Sequence, residues 1–270
     1  HAAGAMAGDD AAQARETVGP TRALLGALAR LAGEGAAPRL VLVSSMTVYD
    51  YAALPYGTTL DETAPLEAEP AARDAYCRSR LAQERIALEA ADAHGLEIRI
   101  VRPGSVVGPG RLWNGHLGHP VGPLLLSTGG KGVLPIVLVA HCAEGLVRAA
   151  TTPLAAEDRA TPARGRVETV NLVEPDPPER AAYLDALRGT GWPKAVLPVG
   201  LAGPTLAAGL VARLGLGTRV PGLLRPRVLA ARMKPLRFSS ARARERLGWA
   251  PEAPFAEAIA AAVAASPKAR

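Results

Sequence analysis

Val41-Leu42-Val43-Ser44-Ser45-Met46-Thr47-Val48-Tyr49 decides the fold: a short, β-branched apolar run suited to a buried strand ends abruptly in hydroxyl side chains. The strand is expected over residues 39–44, and a Pro-rich loop over 50–73 follows it. Residues 76–94 read as a helix ended by Gly95, a residue suited to the left-handed position just past a helix. Upstream, residues 11–32 have helical periodicity with Pro20 inside, where the missing N–H predicts a kink. Downstream, strands are expected over 97–101, 134–139 and 167–173, with helices over 141–151 and 179–189 and looser apolar helices over 199–231. Residues 102–132 form a long Gly/Pro-rich excursion of the kind that carries function. Near the end, Ser239-Ser240 would cap a helix that stops at Gly248. Strands separated by helices predict an α/β fold, a parallel sheet with helices on both faces.

Tyr76-Cys77-Arg78-Ser79-Arg80 opens the central helix, and one helical turn separates Tyr76 from Arg80, so both address the same side. A fixed cation beside a phenol favours the phenolate, which is how a protein obtains a tyrosine acid/base near neutral pH. Ser44 and Ser45 read either as strand-end caps or as a hydroxyl partner for that tyrosine.

Composition narrows the classes. A chain of 270 residues with 49% hydrophobic content can bury a real core. The net charge of +6 and the pI near 9.7 invite nucleic acid, but the arginines look scattered along the sequence and aromatics are only 4%, too sparse for base stacking. Only 4 of the 31 basic residues are lysine, and with abundant Ala, Gly and Pro this bias resembles a GC-rich bacterial coding sequence, a bland origin for Arg80. Cys77 and Cys142 form no disulfide framework, so a reducing, cytoplasmic setting is expected. The longest apolar stretch, 196–216, is interrupted by Pro198, Pro204 and Arg213 and is unsuited to span a bilayer. His116 and His119 lack a third ligand nearby, so no metal is expected.

The hydroxyl-bearing strand end and the tyrosine downstream, with Arg102-Pro103-Gly104-Ser105-Val106-Val107-Gly108-Pro109-Gly110, resemble an extended short-chain dehydrogenase/reductase of the NAD-dependent epimerase/dehydratase family. Arg246-Leu247-Gly248-Trp249-Ala250-Pro251 resembles that family's L-G-W-x-P tail. Two positions depart from it: Arg80 stands where the family has Lys, and Glu16 where it has Asn. His1-Ala2-Ala3-Gly4 resembles the segment ending the fourth strand of the nucleotide-binding sheet, so a Rossmann-like fold without its Gly-rich start is expected. Gly33-Glu34-Gly35 and Gly108-Pro109-Gly110 have the wrong contexts to replace that turn.

The resemblance implies NAD or NADP as cofactor, Tyr76 as acid/base, Ser45 as its hydroxyl partner and Arg80 as a substitute cation. It implies cofactor contacts at Ala2, Ala3, Gly4, Ser44, Tyr76, Arg80, Pro103 and Gly104. Substrate contacts would fall at Ser45, Met46, Thr47, Ser105, Trp113 and Asn114. Met46 and Thr47 occupy the places of the acid pair of sugar-nucleotide dehydratases, which disfavours dehydration and leaves epimerisation or keto/alcohol oxidoreduction. His141 and Cys142 fall where relatives open a helix with an Asp pair, and core packing is the expectation here. Arg225, Arg227, Arg232 and Arg237 would clamp a diphosphate or lie on the solvated surface. Residues 1–110 and 134–175 would form the remaining NAD(P)-binding domain, and 111–133 with 176–270 a mainly helical substrate region.

The expected activity is hydride transfer on a nucleotide sugar by an NAD(P)-dependent oxidoreductase or epimerase. Two alternatives stay open: a 3β-hydroxysteroid-dehydrogenase-like or flavonoid-reductase-like enzyme of an apolar alcohol, and a truncated, inactive family member. The expected partners are a small-molecule substrate and, through the helix bearing Tyr76, a second copy, with neither nucleic acid nor membrane.

Overall fold

In a computed structural model, the structure describes residues 1–36, 38–127, 132–154, 165–200, 202–214 and 225–268. Parts of two expected regions, 128–131 of the excursion and 215–224 of the apolar helical stretch, lie outside the described residues.

Three parallel strands make the main sheet, in the order β1 (Arg39–Val43), β3 (Glu97–Pro103), β8 (Arg166–Leu172). The first residues extend it: the His1 amine donates to the Val41 carbonyl at 2.7 Å and the Val43 N–H to the His1 carbonyl at 3.0 Å, the bonds of a parallel pairing across Leu42. Side chains alternate across each strand, so the sheet has two apolar faces. On one, Leu40, Leu42, Ile98 and Ile100 pack against Leu25 and Ile86 of the helices α2 (Gly19–Gly33) and α3 (Ala75–His94). On the other, Val101, Val170 and Leu172 meet Cys142 and Ala149 of α4 (Val139–Thr151), together with Leu247 and Trp249. Fully burying one such aliphatic side chain contributes about 1.5–3 kcal/mol relative to leaving it exposed.

The expected kink at Pro20 takes a specific form. The helical run begins as α1 (Asp10–Gln13), widens into a π turn over Ala14–Val18, and resumes as α2 with Pro20 in its first turn. Proline has no N–H to donate to the carbonyl four residues back, and in the wider turn before it Gly19 donates to the Ala14 carbonyl. The Thr21 hydroxyl takes up the Thr17 carbonyl at 2.7 Å.

α3 starts one residue earlier than its apolar pattern suggests because Asp74 caps it, accepting from the Cys77 N–H at 2.9 Å. It ends at Gly95, whose φ of 69° is the left-handed conformation. At its far end α8 (Ala241–Leu247) stops at Gly248, also left-handed, but Ser240 makes no side-chain cap and Ser239 supplies the oxygen for Ala241. α8 belongs to a stretch expected in the substrate region, yet it packs against α4 and β8 on the sheet.

The excursion is not structureless. β4 (Ser105–Val107) pairs in parallel with β7 (Ile136–Leu138), and β5 (His119–Val121), β6 (Leu124–Ser127) and β9 (Ala195–Pro198) form a small sheet. Leu117, Leu125, Leu134 and Ile136 close a separate core with Tyr183 and Leu187 of α5 (Arg180–Leu187) and Ile259 of α9 (Phe255–Ala264). β2 (Thr59–Leu60), inside the Pro-rich loop, pairs with β10 (Arg237–Phe238), tying that loop to the chain's late segments. Before β10 lie α6 (Ala202–Arg213) and α7 (Pro226–Met233).

Candidate active site

β1 delivers Ser44 and Ser45 to the carboxyl end of the sheet, where the chain turns through a 3-10 helix at Met46–Val48. The first turn of α3 lies over that turn, and the Cys77 thiol donates to the Thr47 carbonyl at 3.2 Å. Tyr76, on the neighbouring position, and Ser45 are both partly exposed at this edge. Ser45 caps the turn by accepting from the Thr47 N–H at 3.2 Å, which leaves its O–H free to donate.

Arg80 turns inward. It is 3% exposed, its guanidinium carbon sits 4.9 Å from the Tyr76 ring centroid, and Nη1 donates to the Val43 carbonyl at 3.1 Å and to Gln83 Oε1 at 2.8 Å. Its Nε is buried without a partner. A polar seam between the N-terminal helices and α3 fixes this arrangement. Gln83 Nε2 donates to the Thr21 hydroxyl at 2.6 Å, His1 Nε2 lies 2.9 Å from the same oxygen, and the Ser79 hydroxyl donates to Gln13 Oε1 at 2.8 Å.

Several residues expected at the site have other occupations. Ser44 is buried and donates to Glu84 Oε1 at 2.5 Å, so its hydroxyl faces the interior rather than a cofactor. Met46 is a core residue packed with Tyr49 and Leu60, because the 3-10 turn sends Met46 and Val48 inward and only Thr47 outward. Thr47 Oγ1 accepts from Arg73 at 3.1 Å, and Arg73 is itself buried in a pair with Glu67 at 2.9 Å. Asn114 is buried and spends its oxygen on the His116 N–H at 3.0 Å, a turn within the loop. Gly104 is a glycine for packing: a Cβ there would meet the Pro135 carbonyl oxygen at 2.3 Å, and Pro103 is buried. Gly4 makes room for Arg80, whose Nη2 would lie 2.9 Å from an added Cβ. Ala2 and Ala3 are exposed, Ser105 is partly so, and Trp113 is exposed on the excursion. Glu16 is an exposed partner of Arg15.

Other residues in the vicinity are joined in buried polar pairs. Glu84, two helical turns beyond Tyr76, receives both Arg102 Nε at 2.9 Å and Nη2 at 2.6 Å, and the Arg102 guanidinium lies 4.7 Å from the Tyr49 ring centroid. Burial pushes the Tyr49 phenol up, Arg102 notwithstanding, and its O–H donates to Asn171 Oδ1 at 2.7 Å. Glu62, whose carboxyl is raised by burial, accepts from the Asn171 N–H. Arg227, expected either to clamp a diphosphate or to lie on the solvated surface, is held by Asp50 at 3.0 Å, Glu67 at 2.7 Å and Glu69. His141 is buried, yet its Nδ1 lies 3.0 Å from Glu174, a polar pair where plain packing was expected.

A small cavity opens beside this edge, between the excursion, the start of α5 and the end of α7. His116, Arg180, Arg232, Lys234 and Phe238 contribute to its wall. Arg232 also lies 3.9 Å from Asp74, the cap of α3, which links the cavity to the helix bearing Tyr76. Burial drives the His116 imidazole down to about 4, and the Arg232 and Arg180 charges act in the same direction.

The family model described as the NAD dependent epimerase/dehydratase family matches residues 1–158. The chain belongs to the NAD-dependent epimerase/dehydratase family. Its fold is similar to that of MoeE5 in complex with UDP-glucose and NAD, with TM-score 0.64 and 17% identity over 98% of this chain and 77% of that one. A similar likeness holds for gox2253, at TM-score 0.66 and 22% identity over 97% of this chain and 74% of that one. UDP-glucuronic acid 4-epimerase from Bacillus cereus, in complex with NAD, gives TM-score 0.62 and 14% identity over 97% of this chain and 72% of that one. Comparison with curated proteins by sequence finds no match.

The residues present fit a nicotinamide unevenly. Tyr76 and Ser45 offer accessible hydroxyl chemistry at the sheet edge. Arg80 is buried and turned to the Val43 carbonyl, so what it can offer is charge behind the Tyr76 ring.

Proposed function

We propose that the protein catalyses NAD(P)-dependent oxidoreduction of a nucleotide sugar, as an epimerase or a keto/alcohol oxidoreductase. The carrying observation is Tyr76, partly exposed at the sheet edge that bears Ser45 and backed by the Arg80 guanidinium 4.9 Å from its ring centroid. The nicotinamide, when bound, supplies hydride exchange with a carbinol carbon of the substrate.

Tyr76 takes the substrate's hydroxyl proton on its phenol oxygen as that carbon becomes a ketone, and returns it when the ketone is reduced. Ser45 donates its hydroxyl proton in a hydrogen bond to the same substrate oxygen, stabilising the charge that develops there. Arg80 holds its guanidinium 4.9 Å from the ring centroid, a cation–π contact that seats the Tyr76 ring against the strand end.

Dehydration is disfavoured for want of an acid beside Ser45. Met46 is in the core, and the Thr47 hydroxyl is held by Arg73. Nearby carboxylates are committed, Glu67 to Arg73 and Glu84 to Arg102. Arg180 and Arg232 contribute to the wall of the small cavity, and their charge suits an anionic substrate better than an apolar alcohol.

The test is turnover of UDP-glucose, UDP-glucuronic acid and a panel of hydrophobic alcohols with NAD and NADP, products separated by chromatography. Conversion of a nucleotide sugar supports the reading. Conversion of the alcohols alone, or of neither class, overturns it.

A further inference from the structure

α6 sits on α7 by one face, and among the described residues its other face carries exposed leucines. Ala208 is buried with Leu229 and Met233, whereas Leu206, Leu210 and Leu214 are 76%, 58% and 62% exposed. These leucines are spaced by four, and the last follows directly on the helix end, so they lie on one side of the helical path. The chain reaches α6 through β9, where Leu197 and the following Val199 are exposed as well. Singly exposed apolar residues are ordinary, but a leucine stripe on one helix face calls for a partner.

Charge says what kind. Between Asp185 and Glu245 the sequence has no acidic residue, and eleven of its Lys and Arg fall there. All 25 acidic residues lie outside that stretch, against 20 basic ones, so a charge that looks scattered along the chain is segregated. Much of this block is paired with carboxylates outside it: Arg188 with Asp185, Arg227 with Asp50, Glu67 and Glu69, Arg232 with Asp74 and Arg242 with Glu62. Lys194, just before β9, and Arg213, the last residue of α6, are exposed and have no ion-pair partner among the described residues.

A second copy of this face would set like charge against like charge. A nucleic acid would meet the cations but offers no hydrocarbon to the leucines. An anionic bilayer surface supplies both, acyl chains for the leucine face and lipid phosphates for its cationic flanks. We propose that α6 and its flanks form a peripheral docking surface for an anionic membrane, with the helix lying in the plane of the interface. This goes beyond the proposed chemistry and does not depend on it, and it replaces the expectation of no membrane partner. The contact lies on the membrane: among the described residues no helix is long and apolar enough to cross one.

The experiment is co-sedimentation of the whole chain with phosphatidylcholine vesicles and with vesicles rich in phosphatidylglycerol. Binding is expected to the anionic vesicles only, and to weaken as salt is raised. The variant L206D/L210D, altered at two exposed positions, is expected to keep its far-UV circular dichroism and lose about tenfold or more in vesicle partition. K194E/R213E tests the flanks and is expected to weaken binding to anionic vesicles. No sedimentation with anionic vesicles overturns the proposal, as does undiminished binding by L206D/L210D or insensitivity to salt. If the chain ignores vesicles while L206D/L210D lowers its mass in gel filtration, a second copy covers the face and the proposal fails.

Discussion

Arg80 lies under Tyr76 with its guanidinium carbon 4.9 Å from the ring centroid, anchored from behind by the Val43 carbonyl and Gln83. A lysine in this place would be one compact charge. The planar guanidinium can contact the ring and hold the strand end together, at the cost of a buried Nε without a partner.

Gly4 guards that contact. A Cβ at Gly4 would meet Arg80 Nη2 at 2.9 Å and the Thr17 hydroxyl at 3.2 Å. Gly4→Ala is therefore expected to push the guanidinium from its seat and lower kcat by about tenfold, the scale of a cation–π contact partly lost. Steady-state kinetics beside thermal unfolding checks it. Unchanged kcat would mean that the position of Arg80 does not matter to turnover.

Glu84 joins Ser44 and Arg102 in the interior. Removing one partner strands the other charge, so Glu84→Ala is expected to cost about 3–5 kcal/mol in urea unfolding. The double variant E84L/R102M removes both charges and is expected to recover a large part of that loss. A double variant no more stable than the single one would show that the pair is not what Glu84 contributes.

His116 makes stability depend on pH. Its folded value is about 4, below the unfolded 6.5, so in that interval the unfolded chain binds the proton more readily. Its contribution is present in full above pH 6.5 and is lost as pH falls through that window towards 4. The difference in unfolding free energy between wild type and H116Q is expected to shrink over this range. A difference that stays flat with pH would contradict the assignment.

Gly104 faces the Pro135 carbonyl so closely that a methyl group would overlap it. Gly104→Ala is expected to destabilise by about 1–3 kcal/mol through backbone displacement, measured as a lower Tm. An unchanged Tm would show that the crossing of β4 and the Pro135 segment is looser than described.

Local periodicity made the α/β order legible, and Gly95 and Gly248 marked helix ends because only a left-handed residue suits those positions. The Tyr76–Arg80 spacing likewise placed two side chains on one face. What escaped was non-local. Nothing near Ser44 says that Glu84 will take its hydroxyl, nor does anything near Arg99 foretell its pairing with Glu168 across neighbouring strands. Met46 escaped for a geometric reason: in a 3-10 turn successive side chains point about 120° apart, and the sequence does not say which of them go inward. The π turn before Pro20 was legible only as a generic kink.

The most direct test of the account is Tyr76→Phe, which removes the phenol oxygen and leaves the ring for Arg80 to contact. The expected result is a fall in turnover of the nucleotide sugar by about 10²–10⁴-fold, with thermal stability and NAD(P) affinity retained. A Tyr76→Phe protein that turns over at the wild-type rate would contradict the central claim that this tyrosine moves the proton.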